Sequence, residues 1–130
     1  MAVPDRILRK RVALTPAEYE EVKRHATIGA DIVGRIDGLH RIGPWIRHSH
    51  EHLDGSGYPE GLTGEAIPAA SRILLVADAY DAMTTDRPYR EAMTPDAALT
   101  ELLTWSGNQF DPTCVGALAD HLAAEGKVAA

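Results

Sequence analysis

The stretch HSHEHLDGSGYPEGL, His48 to Leu62, places three imidazoles at alternate positions, with Glu51 and Asp54 among them. A run of glycines, a tyrosine and a proline follows. Neutral imidazole nitrogen beside carboxylate oxygen is a donor set for iron, manganese or zinc, and an ion with an open position acidifies water enough for phosphoester hydrolysis. His25 stands between Val22 and Ile28 on what reads as an apolar helix stripe, where a histidine is either a satisfied core residue or a ligand. Asp78 has Leu74, Leu75, Asp81 and Ala82 as its helical neighbours at three and four positions. A carboxylate buried there needs a metal, a hydrogen-bond network or an arginine, Arg72 and Arg87 being the candidates for an ion pair. Arg87 and Arg90 flank Pro88 and Tyr89 in DRPYR, where two guanidinium groups suit phosphate oxygens and Tyr89 or Tyr58 can pack on a base. Each has an ordinary alternative, since histidines at a helix end favour its dipole and arginines after a helix can simply be solvated. His25, His50 and Asp78 come from separate segments, so only the fold can bring them together.

The elements that must do so read as helices. Thr15-Pro16, Thr94-Pro95 and Asp111-Pro112 each pair a capping residue with proline at the first helical position. Glu18, three residues after Thr15, completes a capping box, and Val22, Ile28, Ile32, Val33 and Ile36 follow at helical spacing, giving a helix over 16–36. A second helical segment, 40–53, carries the histidines at its end, with Gly43-Pro44 at its start or at a kink. Glycine and proline make 55–68 a loop, and SRILLVADAYDAM over 71–83 is a strongly apolar helix. The last helices span 95–105 and 112–125, and the tail 126–130 is expected to fray. No stretch alternates with the period of a half-buried strand, so the fold class is all-α, in one domain over 1–130.

A chain of 130 residues, 45% hydrophobic and 25% charged, is of a size and composition to bury a core. A net charge of -6 argues against a DNA-coating role. Cys114 is the single cysteine, which excludes a disulfide within the chain and suits a cytoplasmic setting. No apolar run suits membrane insertion, and MAVPDRILRK lacks a signal-peptide core.

From about Val3 to Val115 the sequence resembles the HD-GYP family of metal-dependent phosphohydrolases. The resemblance is carried by VPDRILRK, LTPAEYEEVKRH, HEHLDGSGYPEGLTGEAIP, SRILLVADAYDAMTTDRPYR and SGNQFDP, too many spaced positions for chance. It implies an all-helical bundle of the HD-domain type with a cluster of divalent metal, iron or manganese, that hydrolyses the bacterial messenger cyclic di-GMP. Residue by residue, His25, His50 and Asp78 match metal ligands, Gly57, Tyr58 and Pro59 the signature loop, and Arg87 and Arg90 substrate-phosphate contacts. Tyr58 joins them as a substrate contact. In the family the loop is also thought to dock diguanylate cyclase (GGDEF) domains.

Two departures qualify that expectation. The family's His-Asp pair and its following lysine belong just before the segment that here begins Met1-Ala2-Val3-Pro4, and two adjacent histidines before the glutamate are replaced by Ser49-His50. The sequence therefore reads as the C-terminal part of the bundle, either cut from a longer product or a natural remnant. Metal affinity should fall when neighbouring ligands are lost. An impaired phosphodiesterase and a non-catalytic module for nucleotide or protein binding are both consistent with this. Apolar faces around Ile28, Ile32, Leu74 and Val76 should stay partly uncovered, which implies self-association. His48, His52 and His121 acquire no role beyond solvated side chains.

Overall fold

The computed structural model describes residues 3–129. It contains six α-helices: α1 Asp5–Leu8, α2 Pro16–Gly34, α3 Gly43–Arg47, α4 Ala69–Thr84, α5 Pro95–Thr104 and α6 Pro112–Ala124. Single 3-10 turns lie at His40–Ile42 and Gly64–Ala66. Among the described residues there is no strand, only three isolated bridges, so the all-α class expected from the sequence is the observed one.

The caps act as their types require. Thr15 accepts the Glu18 amide while the Glu18 carboxylate accepts the Thr15 amide, so two of the unpaired donors at the start of α2 are satisfied reciprocally. Thr94 accepts from Ala97 at α5, and Asp111 from Thr113 at α6. Asp111 also takes the guanidinium of Arg72 from α4, tying two helices together at one carboxylate.

The largest core lies between α4, α5 and α6, where Leu75 and Val76 meet Leu102, Phe110 and Val115. Full burial of each such side chain is worth about 1.5–3 kcal/mol, which makes this packing, rather than helix propensity, the main support of α4. The second contact is α2 against α3, where Ala30 lies against Gly43 and Gly29 against Ile46. A β-carbon on Gly43 would stand 3.3 Å from the Ala30 carbonyl oxygen, so the absent side chain lets the helices approach closely. Ser71, buried on α4, donates to the Trp45 carbonyl at 2.8 Å and joins the two halves.

Several boundaries differ from the sequence expectation. The segment 40–53 is helical only to Arg47, because the backbone from His48 turns to receive the following loop. Val76, expected on an uncovered face, is buried in the core, while Ile73 and Leu74 beside it are exposed. The tail does not fray over its described part: Gly126 takes φ +69°, its amide bonds to Ala123 and the Lys127 amide to Leu122, and Val128 is buried. This is a Schellman ending, which only a residue tolerant of positive φ allows. Ala130 lies outside the described residues.

Candidate functional site

His25 and His50 meet. The His25 Nδ1 lies within hydrogen-bond distance of the Val22 carbonyl one turn earlier, so the proton belongs on Nδ1 and Nε2 presents its lone pair. His50 follows the end of α3, and its Nε2 stands 2.9 Å from the His25 Nε2. The rings cross at 70° with centroids 4.8 Å apart. Burial, and then the neighbouring His25, hold the His50 pKa below its ordinary value, with Asp78 pulling the other way. The His50 ring is therefore neutral near pH 7, the form in which imidazole binds metal.

Both histidines open into a cavity of about 300 Å³ lined by Ile46, Ser49, Leu74 and Asp78. Asp78 is exposed and, among the described residues, its carboxylate has no hydrogen bond or ion pair. The proposed pairing with Arg72 does not form, because Arg72 is committed to Asp111. The apolar neighbours read around Asp78 were sound for Leu75 but not for Leu74, which is itself exposed on the cavity wall.

A divalent ion fits the nitrogens. Two nitrogens bound at about 2.1 Å and at right angles to one ion lie roughly 3.0 Å apart, close to the 2.9 Å observed. Among the described residues no group of three His, Cys, Asp or Glu side chains is drawn together tightly enough to enclose an ion. The arrangement is thus a pair of nitrogen donors with a carboxylate on the same cavity wall.

The loop after His50 is built against it. A β-carbon on Gly57 would lie 2.3 Å from the His52 nitrogen and 2.4 Å from the His50 carbonyl oxygen, so no other residue fits without moving the backbone. The Tyr58 amide bonds to the His50 carbonyl at 3.2 Å, and its ring stacks on the His50 ring at 5.1 Å and 14°. Burial above all pushes the Tyr58 phenol up to about 12, with Tyr19 and Asp78 contributing in the same direction. Lys23 lies 4.9 Å from the Tyr19 ring centroid and 5.9 Å from that of Tyr58, covering the outer side of this aromatic group. Pro59 is exposed at the loop tip.

Arg87 and Arg90 sit in an exposed turn after α4, closed by reciprocal backbone bonds of 2.8 and 3.1 Å. The Arg90 guanidinium donates to the Ala82 carbonyl at 2.6 Å near the end of α4. Neither arginine lines the cavity of His25 and His50, and neither does Tyr58. Sequence reasoning passed over Glu51, grouping it with a polar helix end. It is one of the most deeply buried side chains of the protein, accepting the amides of Glu60 at 2.7 Å and Leu62 at 3.0 Å. The signal was an acid between two histidines just ahead of a glycine-rich loop whose amides need acceptors.

Residues 1–114 match the family model described as HD domain. The chain belongs to the HD domain family. Among curated relatives of this HD domain is the cyclic di-GMP phosphodiesterase response regulator RpfG of Xanthomonas campestris, 49% identical over 121 residues, which are 91% of this chain and 32% of the relative. A cyclic di-GMP phosphodiesterase of Thermotoga maritima is 41% identical over 90% of this chain and 32% of its own length. The 3'3'-cGAMP-specific phosphodiesterase 3 of Vibrio cholerae is 36% identical over 94% of the chain and 26% of the relative. The crystal structure of a cyclic GMP-AMP specific phosphodiesterase of V. cholerae superposes with a TM-score of 0.71 at 28% identity, covering 88% of this chain and 26% of that one. The HD domain thus spans about a third or less of the length of these proteins. The family resemblance and the HD-type helical fold read from the sequence agree with these findings. No helix among the described residues is long and apolar enough to cross a membrane.

Proposed function

We propose that this HD domain forms the His25, His50 and Asp78 side of a metal-dependent phosphodiesterase site for cyclic dinucleotides. The observation that carries the reading is the pair of imidazoles, Nε2 to Nε2 at 2.9 Å, opening with Asp78 into one cavity. The names of its relatives supply the substrate class, cyclic di-GMP or 3'3'-cGAMP. Iron(II) or manganese(II), held by His25 and His50 with Asp78 as a carboxylate donor, would supply Lewis acidity toward phosphate and water.

The chain's own residues then have distinct tasks. The Val22 carbonyl orients His25 and keeps its proton on Nδ1, while burial keeps His50 unprotonated. Tyr58 covers one face of His50, and its protonated phenol adds no negative charge beside an anionic substrate. Arg87 and Arg90, in the exposed turn after α4, are suited to phosphate oxygens of a ligand that reaches that turn. The exposed Pro59 tip offers a contact to a partner such as a diguanylate cyclase domain. The free thiol of Cys114 suits a cytoplasmic setting.

Two nitrogens and one carboxylate leave much of an ion's coordination to other donors, so turnover by this chain alone is expected to be impaired. The same geometry favours a second reading, nucleotide binding without hydrolysis. Purified chain incubated with manganese(II) or iron(II) and each cyclic dinucleotide separates them. Metal-stimulated hydrolysis that disappears in His50→Ala supports the enzyme, and saturable binding without product supports the binding module. Neither hydrolysis nor binding would overturn both.

A further inference from the structure

We propose that Glu51 is a positioning residue that fixes the His50 ring through the Gly57-Tyr58-Pro59 loop; its importance for metal rests on the reading above. Glu51 directly follows His50, and its side chain is fully withdrawn from solvent. The nearest imidazole nitrogen, His48 Nδ1, is 3.7 Å from Oε1 and lacks a hydrogen-bond partner of its own. The carboxylate is satisfied instead by the two amides on the far limb of the loop, Oε1 taking Glu60 and Oε2 taking Leu62. Hydrogen bonds to a charged acceptor are about twice as strong as neutral ones. By contrast, the exposed Arg47 to Glu60 ion pair on the same limb contributes little.

The near limb is held at the other end. Gly57 is seated against the His50 carbonyl and the His52 nitrogen, and the Tyr58 amide donates to that same carbonyl. With both limbs tied to the backbone and side chain of residues 50 and 51, the Tyr58 ring has one place to lie, flat on the His50 imidazole. His50 is thereby fixed between Tyr58 on its face and His25 at its Nε2. Glu51→Gln keeps the volume but turns an NH2 group toward one of the two amides, leaving a buried donor unpaired. The far limb should then release, and Tyr58 with it.

The test is proton NMR of the His50 ring in the full chain. In the native protein its ring protons should show the shift caused by the Tyr58 ring stacked above them. Glu51→Gln and Tyr58→Ala should both abolish that shift while the helical amide pattern persists, and Tyr58→Phe, which keeps the ring, should retain it. Manganese(II) affinity should fall about tenfold or more in Glu51→Gln and in Tyr58→Ala, as for loss of a group that orients a ligand, and the two effects should not add. If Glu51→Gln does not fold, Glu51→Asp, one methylene short of the two amides, should weaken the shift. An unchanged His50 shift in these Glu51 variants, or additive effects on affinity, would overturn the proposal. A chain that binds no manganese but shows the expected ring shifts would leave Glu51 positioning His50 and remove the metal-binding reading.

Discussion

At the residue scale the candidate donors differ from the groups that hold them in place. His25 and His50 meet at the edge of a cavity into which both open, whereas Glu51 and Gly57 make the seat in which His50 and Tyr58 rest. Gly57→Ala should be among the most damaging single-methyl changes in the protein. The new carbon would overlap backbone atoms of three residues, so the loop must shift, at a cost on the order of 2 kcal/mol or more. A fall in Tm with loss of the His50 ring shift is the expected result. A second prediction follows from the histidines. His50 and His52 are both held below 6.5, first by burial, so the folded chain resists protons that the unfolded chain accepts. Their stabilising contribution is present above 6.5 and is lost as pH falls through the folded pKa values. Glu18, lowered from 4.5 to about 2 chiefly by Lys10, loses its contribution only at more acid pH. Thermal unfolding followed from pH 8 downward should therefore show Tm begin to fall near the histidine range, above the range in which Glu18 titrates.

At the element scale most of the fold was legible in the sequence. The starts of α2, α5 and α6 were marked by a capping residue followed by proline, a local signal that needs no tertiary information. Thr15→Ala removes half of the capping box and should cost about 1 kcal/mol, read as a lower denaturant midpoint with an unchanged slope. The early end of α3 was not legible, because Arg47 stops it only where loop residues distant in sequence come back to bond His50 and Glu51. The same holds for the buried face of α4. Its sequence is apolar nearly all round, and only the positions of α5 and α6 decide that Leu75 and Val76 go inward while Ile73 and Leu74 stay exposed. For the candidate site, the motifs singled out His25, His50 and Asp78, but the convergence of His25 with His50 depends on the close α2 to α3 contact at Gly43 and Ala30. Periodicity does not encode such a contact.

At the scale of the whole molecule, the cavity sits on an uncovered apolar face. Ile32 lies two turns after His25 on α2, and Ile46 and Leu74 of the cavity wall also line a groove of about 430 Å³ with Ile42, Trp45, Ala70 and Ile73. Ile32 is 58% exposed and Ile73 57%. Apolar area of this kind favours association. Sedimentation should show mass rising with concentration, and Ile73→Glu should shift the population toward monomer. A monomer at every concentration would refute that expectation. The central claim concerns the face itself, that His25 and His50 together hold a divalent ion with Asp78 beside them. Its most direct test is manganese(II) binding to the full chain, followed by electron paramagnetic resonance in the native protein, His25→Ala and His50→Ala. One ion per chain, lost in each variant while the helices persist, is the predicted result. Binding that survives both substitutions, or no binding by the native chain at millimolar manganese, would contradict it.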